Sequence, residues 1–343
     1  MPRKIRGSVV VITGASSGIG RATARAFAEK GASVVLAARR EGALQEVASE
    51  CRNLGGRALV VPTDVTDEGA VEGLAREATQ NLGRIDVWVN NAAVSLFSRF
   101  EEAPPDVYRR VIETNLFGYV HGARAALKRF REQGGGVLIN NASVVAKASQ
   151  PNTSANVISK FAILALGESL REELILDGAR DIRVSTVLPA SIDTPLFQHA
   201  ANYTGRAVKP LNPKYDAERV AQTIVRMARR PRREVVVGNA GRLLALQGAV
   251  SSSLYERSAA RLIDRDHFQD HPASPGPGNV FEPMEAWSGT SGGWKTDGGS
   301  SGRKVALATA ATVPALLGWR WLSKNRRTRS GTTAGAPGRL IGR

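Results

Sequence analysis

Apolar and amphipathic stretches alternate along the first 240 residues of the chain. Unbroken runs rich in Val, Ile and Leu predict strands buried on both faces, at 8–13, 33–38, 58–61, 85–90, 137–141, 183–188 and 234–237. Apolar residues at helical spacing predict helices between them, including 21–30, 41–53, 68–81 and 155–176. This alternation predicts an α/β fold with a doubly wound parallel sheet, in a single domain over residues 1–264.

The alternating pattern stops after about residue 264. Residues 265–302 are rich in Pro, Gly and Ser and are predicted to form a linker. Residues 303–343 form a basic tail with a short apolar segment at 305–322. Of the net charge of +16, +9 lies in residues 289–343, which hold ten Lys and Arg and one Asp.

The tail has three interpretations. Its uncharged run, 305–319, is shorter than the roughly 20 apolar residues of a membrane-spanning helix. A segment lying on an anionic membrane surface, with Trp319 and Trp321 at the interface, fits better than a spanning helix. The third interpretation is a disordered basic tail. We expect a cytoplasmic protein, with the tail as the element that would bring it to the membrane face.

Composition limits the function classes. Hydrophobic residues make up 42% and charged residues 23%, as in soluble globular proteins. The single cysteine, Cys51, excludes a disulfide framework and a cysteine-rich metal site. The four histidines are scattered, so we expect no metal. Basic clusters lack interleaved aromatic residues, so we expect no nucleic-acid partner.

A glycine-rich loop, TGASSGIG over residues 13–20, joins the first predicted strand to a helix. Gly14 permits the tight turn, Gly18 lets a phosphate approach, and Gly20 lets the helix pack near the strand. The helix N-terminus then presents unpaired N–H groups and a partial positive charge to a pyrophosphate. The loop predicts a Rossmann-type dinucleotide site whose contacts include Gly14, Ser16, Ser17, Gly18, Ile19 and Gly20.

Two arginines follow the second predicted strand. A carboxylate at this point would accept hydrogen bonds from the adenosine ribose, whereas Arg39 and Arg40 suit a 2′-phosphate. The sequence therefore favours NADP(H) over NAD(H).

With these features the chain resembles the short-chain dehydrogenase/reductase family, from about Ser8 to Gly238. Further matching motifs are DV at 64–65, NNAA at 90–93 and PASIDT at 189–194. The resemblance implies that Asp64 and Val65 lie at the adenine. It also implies that further residues line the cofactor and hold the nicotinamide carboxamide, namely Asn91, Ala92, Pro189 and Thr194. Ala93 and Ala190 stand where the family usually has glycine.

The resemblance also implies a catalytic set of Asn, Ser, Tyr and Lys. Asn115, Ser143 and Lys160 match three members, and Lys160 also belongs to the cofactor site. The tyrosine position holds Asn156, one helical turn before Lys160. An amide is not a useful acid or base near neutrality, and loss of a general acid typically costs about 10²–10⁴-fold in rate.

Two functions remain open from the sequence. The first is hydride transfer between NADP(H) and a small, largely apolar carbonyl or secondary alcohol, impaired by Asn156. In that case Asn156→Tyr should raise the rate, unless a water, Tyr203 or His199 in the loop 192–212 supplies the proton. The second is a non-catalytic NADP(H)-binding scaffold or regulatory protein associated with a membrane. In both cases we expect a homo-oligomer, a dimer or a tetramer.

Overall fold

A computed structural model of the chain describes residues 3–239, 256, 260, 261 and 263–295. The chain divides into two units, 1–298 and 299–343, and every described residue lies in the first. The predicted basic tail at 303–343, with its apolar segment, lies outside the described residues. Within the described residues no helix is both long and apolar enough to cross a membrane.

Strands and helices alternate along the described chain. The strands are β1 (Val9–Thr13), β2 (Ser33–Ala38), β3 (Arg57–Pro62), β4 (Val87–Asn90), β5 (Leu96–Phe97), β6 (Gly136–Asn141), β7 (Ile182–Pro189), β8 (Ile192–Asp193), β9 (Ala201–Asn202), β10 (Arg206–Val208), β11 (Tyr215–Asp216), β12 (Glu234–Val237) and β13 (Phe268–Pro272). The helices are α1 (Gly18–Ala28), α2 (Glu41–Asn53), α3 (Glu68–Leu82), α4 (Pro105–Ile112), α5 (Gly118–Gln133), α6 (Ser154–Leu176), α7 (Leu196–His199) and α8 (Ala217–Arg229).

The central sheet is parallel, with strand order β3-β2-β1-β4-β6-β7-β12. This confirms the predicted doubly wound α/β fold. Each predicted strand matches an observed one to within two residues at either end. The strand order reverses direction between β1 and β4, and ligands of such sheets bind in the crevice at the carboxyl ends of the strands at that point.

The sheet separates two apolar cores. Side chains of β1, β2, α1, α2 and α8 pack into one cluster. Side chains of α3 and α5 pack with the other face of the sheet, around the fully buried Trp88 and Phe130. Because both faces are covered, the strands are continuously apolar, which is why they show no alternating pattern in the sequence.

Short strands build a second layer over the carboxyl edge. β5 pairs with β9, β8 pairs with β11, and β10 pairs antiparallel with β13. β13 lies inside the stretch 265–302 predicted as a linker, so that prediction is wrong for its described part. Pro, Gly and Ser correctly indicate irregular backbone, but composition does not reveal that this backbone finds hydrogen-bond partners on the domain.

A buried polar network fixes α5 against the sheet. Trp88 Nε1 donates to Asn90 Oδ1 at 2.8 Å, and Asn90 Nδ2 donates to Asn140 Oδ1 and to the Tyr119 carbonyl, each at 3.0 Å. A Cβ at Gly122 would lie 2.1 Å from Asn90 Oδ1. Only glycine therefore allows the helix to approach this network.

We expect Gly122→Ala to lower the free energy of unfolding by about 1–3 kcal/mol, the usual range for overpacking a core. The added methyl group must displace Asn90 or push α5 off the sheet. Urea denaturation followed by circular dichroism measures the change.

Gly73→Ala is the matched control. The nearest side-chain atom to its Cβ would be Nη2 of the flexible Arg76, at 3.6 Å. Alanine in a helix interior is favoured over glycine by about 0.5–1 kcal/mol, so this variant should keep or gain stability. Equal decreases in the free energy of unfolding of Gly122→Ala and Gly73→Ala would contradict the packing argument.

Candidate functional site

Thr13 and Asn91 join the ends of β1 and β4. Thr13 Oγ1 accepts from the Asn91 and Ala92 amides at 3.0 and 3.2 Å. Asn91 Nδ2 donates to the carbonyls of Thr13 and Gly14 at 2.9 and 3.2 Å. Gly14 has a φ of +65°, and a Cβ there would lie 2.7 Å from Ala92 Cα. The glycine loop is thereby held tightly against the neighbouring strand end.

The start of α1 keeps the features of a phosphate site. Gly18 has a φ of +52°, and a Cβ at Gly20 would lie 2.0 Å from the Gly14 carbonyl oxygen. Ser17 is the N-cap residue, and its side chain makes no capping hydrogen bond. The Gly18 amide donates to the Gly289 carbonyl at 2.9 Å. Ser16 and Ile19 flank this turn and are half-buried. The loop fits a pyrophosphate, because the amides of a helix N-terminus lie there and the glycines, which have no Cβ, leave room for the phosphate oxygens.

Arg39 and Arg40 follow β2 as predicted. Both guanidinium groups donate to backbone carbonyls of residues 279–285. Arg40 is only 8% exposed. Two cations therefore stand at the carboxyl end of the strand next to the glycine loop.

Asp64 lies after β3 and is held by charged and polar neighbours. Its carboxylate accepts from the Thr66 amide and hydroxyl at 3.0 and 2.8 Å, and from Arg110 Nη2 at 2.9 Å. Burial tends to raise the pKa of Asp64, but the Thr66 hydrogen bonds and the charges of Arg110 and Arg39 outweigh it and hold this pKa below its usual value. Val65, beside it, is buried against Gly118.

The last predicted cofactor contacts lie at the end of β7 and shortly after it. The Pro189 carbonyl accepts from Ser143 Oγ at 3.4 Å. Thr194 is 6% exposed, and its methyl-bearing Cβ would lie 3.3 Å from a Cβ at Gly18. Thr194, the residue predicted to hold the nicotinamide carboxamide, thus faces the glycine loop across a narrow gap.

Lys160 lies in a buried polar corner. Its Nζ donates to the Asn141 carbonyl at 3.1 Å and lies 3.5 Å from the Tyr119 hydroxyl and 5.0 Å from the centre of the Tyr119 ring. Tyr119 in turn donates to the Asn141 carbonyl at 2.8 Å. Burial lowers the pKa of Lys160 to about 7 and raises the pKa of Tyr119 far above its ordinary value. A lysine that titrates near neutrality can take up and release a proton at working pH.

Asn115 and Asn156 clamp one loop. Asn115 accepts from the Val94 amide and donates to the Val94 carbonyl, both at 2.9 Å. Asn156 Oδ1 accepts from the Leu96 amide at 3.0 Å. Asn156 Nδ2 donates to the Val94 carbonyl at 3.0 Å and to Ser95 Oγ at 3.2 Å. The side chain that is predicted to occupy the tyrosine position therefore holds the loop 94–96.

The two candidate replacements for the tyrosine have other contacts. His199 is 5% exposed, and its Nε2 lies 2.9 Å from the Ala286 carbonyl oxygen. Burial lowers the pKa of His199 despite this hydrogen bond. Tyr203 packs beside Leu96 and Tyr108 in an apolar cluster, and burial raises the pKa of its phenol. Neither side chain hydrogen-bonds Ser143 or Lys160 within the described residues.

Comparison with known proteins agrees with this geometry. Residues 8–203, more than half of the chain, match the short chain dehydrogenase family. The chain belongs to this family. It is therefore a dehydrogenase or reductase, and the fold and the resemblance inferred from the sequence are confirmed.

Relatives within the family share much of the chain. The uncharacterized oxidoreductase YxnA of Bacillus subtilis strain 168 is 35% identical over 326 residues, 92% of this chain and 91% of YxnA. The cis-4-hydroxycyclohexanecarboxylate dehydrogenase of Sinomonas cyclohexanicum is 36% identical over 248 residues, 71% of this chain and 96% of that enzyme.

Two solved structures of the family have the same fold. A short-chain type dehydrogenase/reductase from Mycobacterium marinum is 31% identical with a TM-score of 0.62, covering 69% of this chain and 96% of its own. An alcohol dehydrogenase from the archaeon Thermococcus sibiricus, complexed with 5-hydroxy-NADP, is 27% identical with a TM-score of 0.59. It covers 67% of this chain and 95% of its own.

Three features of the site have no signal in the sequence pattern. The sequence pattern predicts Tyr119 to be an ordinary residue of an amphipathic helix, yet its hydroxyl lies beside Lys160. Arg110 lies on another helix, 46 positions from the Asp64 that it binds. The stretch 276–295 contacts four predicted cofactor residues although its composition indicates a linker. Each is a contact between distant parts of the chain.

We expect Asn156→Ala to lower the free energy of unfolding by about 1–3 kcal/mol, because the Leu96 amide and Ser95 hydroxyl lose their partner. Asn156→Tyr should lose the same hydrogen bonds, and its ring would need the space of the loop 94–96. We therefore expect Asn156→Tyr to lower stability and to leave NADPH-dependent carbonyl reduction no faster, in contrast to the expectation from sequence.

Ile158→Ala is the control for position 156, on the same helix and 52% exposed. Exposed positions usually change stability by no more than about 0.5 kcal/mol. Urea denaturation and NADPH oxidation with a panel of carbonyl compounds measure both effects. A rise of tenfold or more in the rate of carbonyl reduction by Asn156→Tyr would show that the loop 94–96 moves readily. It would contradict the argument that the hydrogen bonds of Asn156 are needed to hold this loop.

The buried Lys160 should make stability depend on pH. Its pKa is about 7 in the folded protein against 10.5 ordinarily, so between these values the unfolded chain binds more protons. The free energy of unfolding should therefore rise with pH through this window, by up to about 1.4 kcal/mol per unit. Urea denaturation of the protein and of Lys160→Met, between about pH 7 and 9, measures the difference.

Lys30→Met is the matched control, since Lys30 is exposed on the surface. Lys160→Met should flatten the rise of stability with pH, and Lys30→Met should keep it. If the free energy of unfolding of Lys160→Met had the same pH dependence as that of the unaltered protein, Lys160 would stay fully charged in the folded protein.

Proposed function

We propose that this protein transfers a hydride between NADP(H) and a small, largely apolar carbonyl or secondary alcohol. The observation that carries the proposal is the convergence of the glycine loop, Ser143 and Lys160 at the carboxyl edge of one parallel sheet. This combination supplies phosphate donors, a hydroxyl and a titratable ammonium group together. No contact among the described residues favours the non-catalytic scaffold.

The expected cofactor contacts support a phosphorylated dinucleotide. The amides at the start of α1 suit a pyrophosphate, and Arg39 and Arg40 suit a 2′-phosphate because guanidinium groups form charge-assisted, bidentate bonds with phosphate oxygens. The NADP derivative bound to the Thermococcus sibiricus neighbour agrees with this choice. When bound, the nicotinamide supplies or accepts the hydride.

The side chains of the site divide the remaining work. Ser143 Oγ makes only a long hydrogen bond, of 3.4 Å, to the Pro189 carbonyl, so it can turn to donate to a substrate oxygen. Lys160 supplies a positive charge and a group that titrates near pH 7, from which a water or a ribose hydroxyl can carry the proton. Asn115 and Asn156 position the loop 94–96 and take no part in proton transfer.

The absent tyrosine should limit the rate. Proton delivery through a water replaces a positioned general acid, whose contribution is typically about 10²–10⁴-fold. The loss should fall on turnover, since the missing interaction is made in the transition state.

Apolar side chains support the class of substrate. Val94, Leu96, Ala155 and Ala201 are buried in one cluster with Tyr203 beside the clamp. The Sinomonas cyclohexanicum relative is named for cis-4-hydroxycyclohexanecarboxylate, a cyclic secondary alcohol that also carries a carboxylate group. We infer a compact, mainly hydrocarbon substrate for this chain.

NADPH should bind at least about tenfold more tightly than NADH, which corresponds to about 1.4 kcal/mol. Arg39→Ala should remove most of this preference, because Arg39 is the charge expected at the 2′-phosphate. Fluorescence titration of the full chain with each cofactor measures both affinities.

Arg52→Ala is the matched control, since Arg52 is an exposed arginine on α2. It should keep the preference for NADPH unchanged. Equal affinities for the two cofactors in the unaltered protein, or a preference for NADH, would contradict the proposed cofactor.

A further inference from the structure

Residues 276–295, which we call the strap, run along the edge of the sheet where the cofactor residues lie. The strap begins where Gly276 bridges to Asn202 and ends where Lys295 Nζ lies 2.6 Å from Asp216 Oδ1. It lies beyond the residues that match the family, which end at 203. The described solved neighbours match 96% and 95% of their own chains and leave about a third of this chain uncovered.

At the adenosine side the strap binds both arginines. Arg39 Nη2 donates to the Asn279 carbonyl and Arg39 Nη1 to the Phe281 carbonyl, each at 2.6 Å. Arg40 Nη1 donates to the Glu285 carbonyl at 2.9 Å. Peptide oxygens thus hold the donors proposed for a 2′-phosphate.

In the middle the strap reaches the phosphate loop. The Gly18 amide, at the start of α1, donates to the Gly289 carbonyl at 2.9 Å. Arg21 Nη1, one turn into the helix, donates to the Ser288 carbonyl at 2.9 Å. The Gly289 carbonyl oxygen therefore accepts the hydrogen bond of an amide that lies where a helix N-terminus would bind phosphate.

At the nicotinamide side a buried carboxylate anchors the strap. Asp193, 3% exposed, accepts from Ser291 Oγ at 2.8 Å and from the amides of Gly292 and Trp294 at 3.0 and 3.1 Å. Trp294 Nε1 also donates to the Thr194 carbonyl at 3.2 Å. The anchor involves groups that carry no expected contact to the phosphates.

We propose that the strap is an intramolecular competitor of the cofactor, whose carbonyl oxygens occupy the phosphate donors until NADP(H) displaces them. This inference rests on the proposed function. Phosphate oxygens are charged and form stronger bonds with guanidinium groups than neutral carbonyls do, so the cofactor can replace the strap. The apparent affinity for NADP(H) is then the intrinsic affinity multiplied by the fraction of molecules whose strap is detached.

The test loosens the anchor and leaves the phosphate donors intact. In the full chain, Ser291→Ala combined with Trp294→Ala removes one hydrogen bond to Asp193 and the indole contacts. We expect NADPH to bind at least fivefold more tightly to this variant, by fluorescence titration. The matched control is Trp287→Ala, the other tryptophan of the strap, which is 54% exposed and should leave the affinity unchanged.

Hydrogen exchange supplies a second readout. The Gly292 and Trp294 amides donate to Asp193, so adding NADPH to the unaltered protein should speed their exchange as the strap detaches. Slower exchange together with weaker binding to the loosened variant would show that the strap closes over the cofactor, and this would overturn the proposal.

The remaining outcomes separate the two proposals. Equal NADPH affinity in the unaltered and loosened proteins overturns the strap inference and leaves the proposed function standing. Failure of both proteins to bind NADPH overturns the proposed function as well. Binding to the loosened variant alone supports both.

Discussion

The hydrogen bonds between Thr13 and Asn91 hold together the two strand ends on which the site is built. They join β1 to β4 where the strand order of the sheet reverses, and they bring Gly14 against Ala92 with no room for a Cβ. Everything else at this edge depends on that closure, because it fixes the direction in which α1 begins. Because the strands are parallel, their carboxyl ends all lie at this edge, and the residues that follow them are placed next to one another.

Asn156, predicted to stand where the family has its catalytic tyrosine, is part of the framework of the site. Its amide offers a donor and an acceptor, and both are used on the backbone and hydroxyl of the loop 94–96. Asn115, in the π-helical turn Glu113–Phe117 between α4 and α5, binds Val94 of the same loop. In the proposed reaction, the chemistry is therefore assigned to Ser143 and to the buried Lys160, whose pKa is lowered to about 7 by burial.

The edge of the sheet concentrates cationic and amide donors, and such donors require partners when they are buried. In this protein the strap supplies those partners from its own backbone, between the arginines after β2 and the carboxylate of Asp193. Hydrogen bonds along the strap fix most of its course, together with the buried Val280 and the contact of Trp294 with Phe197. Those hydrogen bonds make the strap replaceable by a ligand with stronger acceptors.

The sequence by itself determined the sheet, the order of its elements and the family. Strands buried on both faces are apolar throughout, and the glycines at 14, 18 and 20 are required by contacts within a short stretch, so both leave local patterns. It also predicted that Asn156 stands in the tyrosine position. Only the tertiary structure decided what Asn156 binds, that Tyr119 meets Lys160, and that residues 276–295 lie on the cofactor edge. These contacts join residues far apart in the chain, and most of them use backbone carbonyls or amides, which hardly depend on the residue type and therefore leave no mark in the sequence.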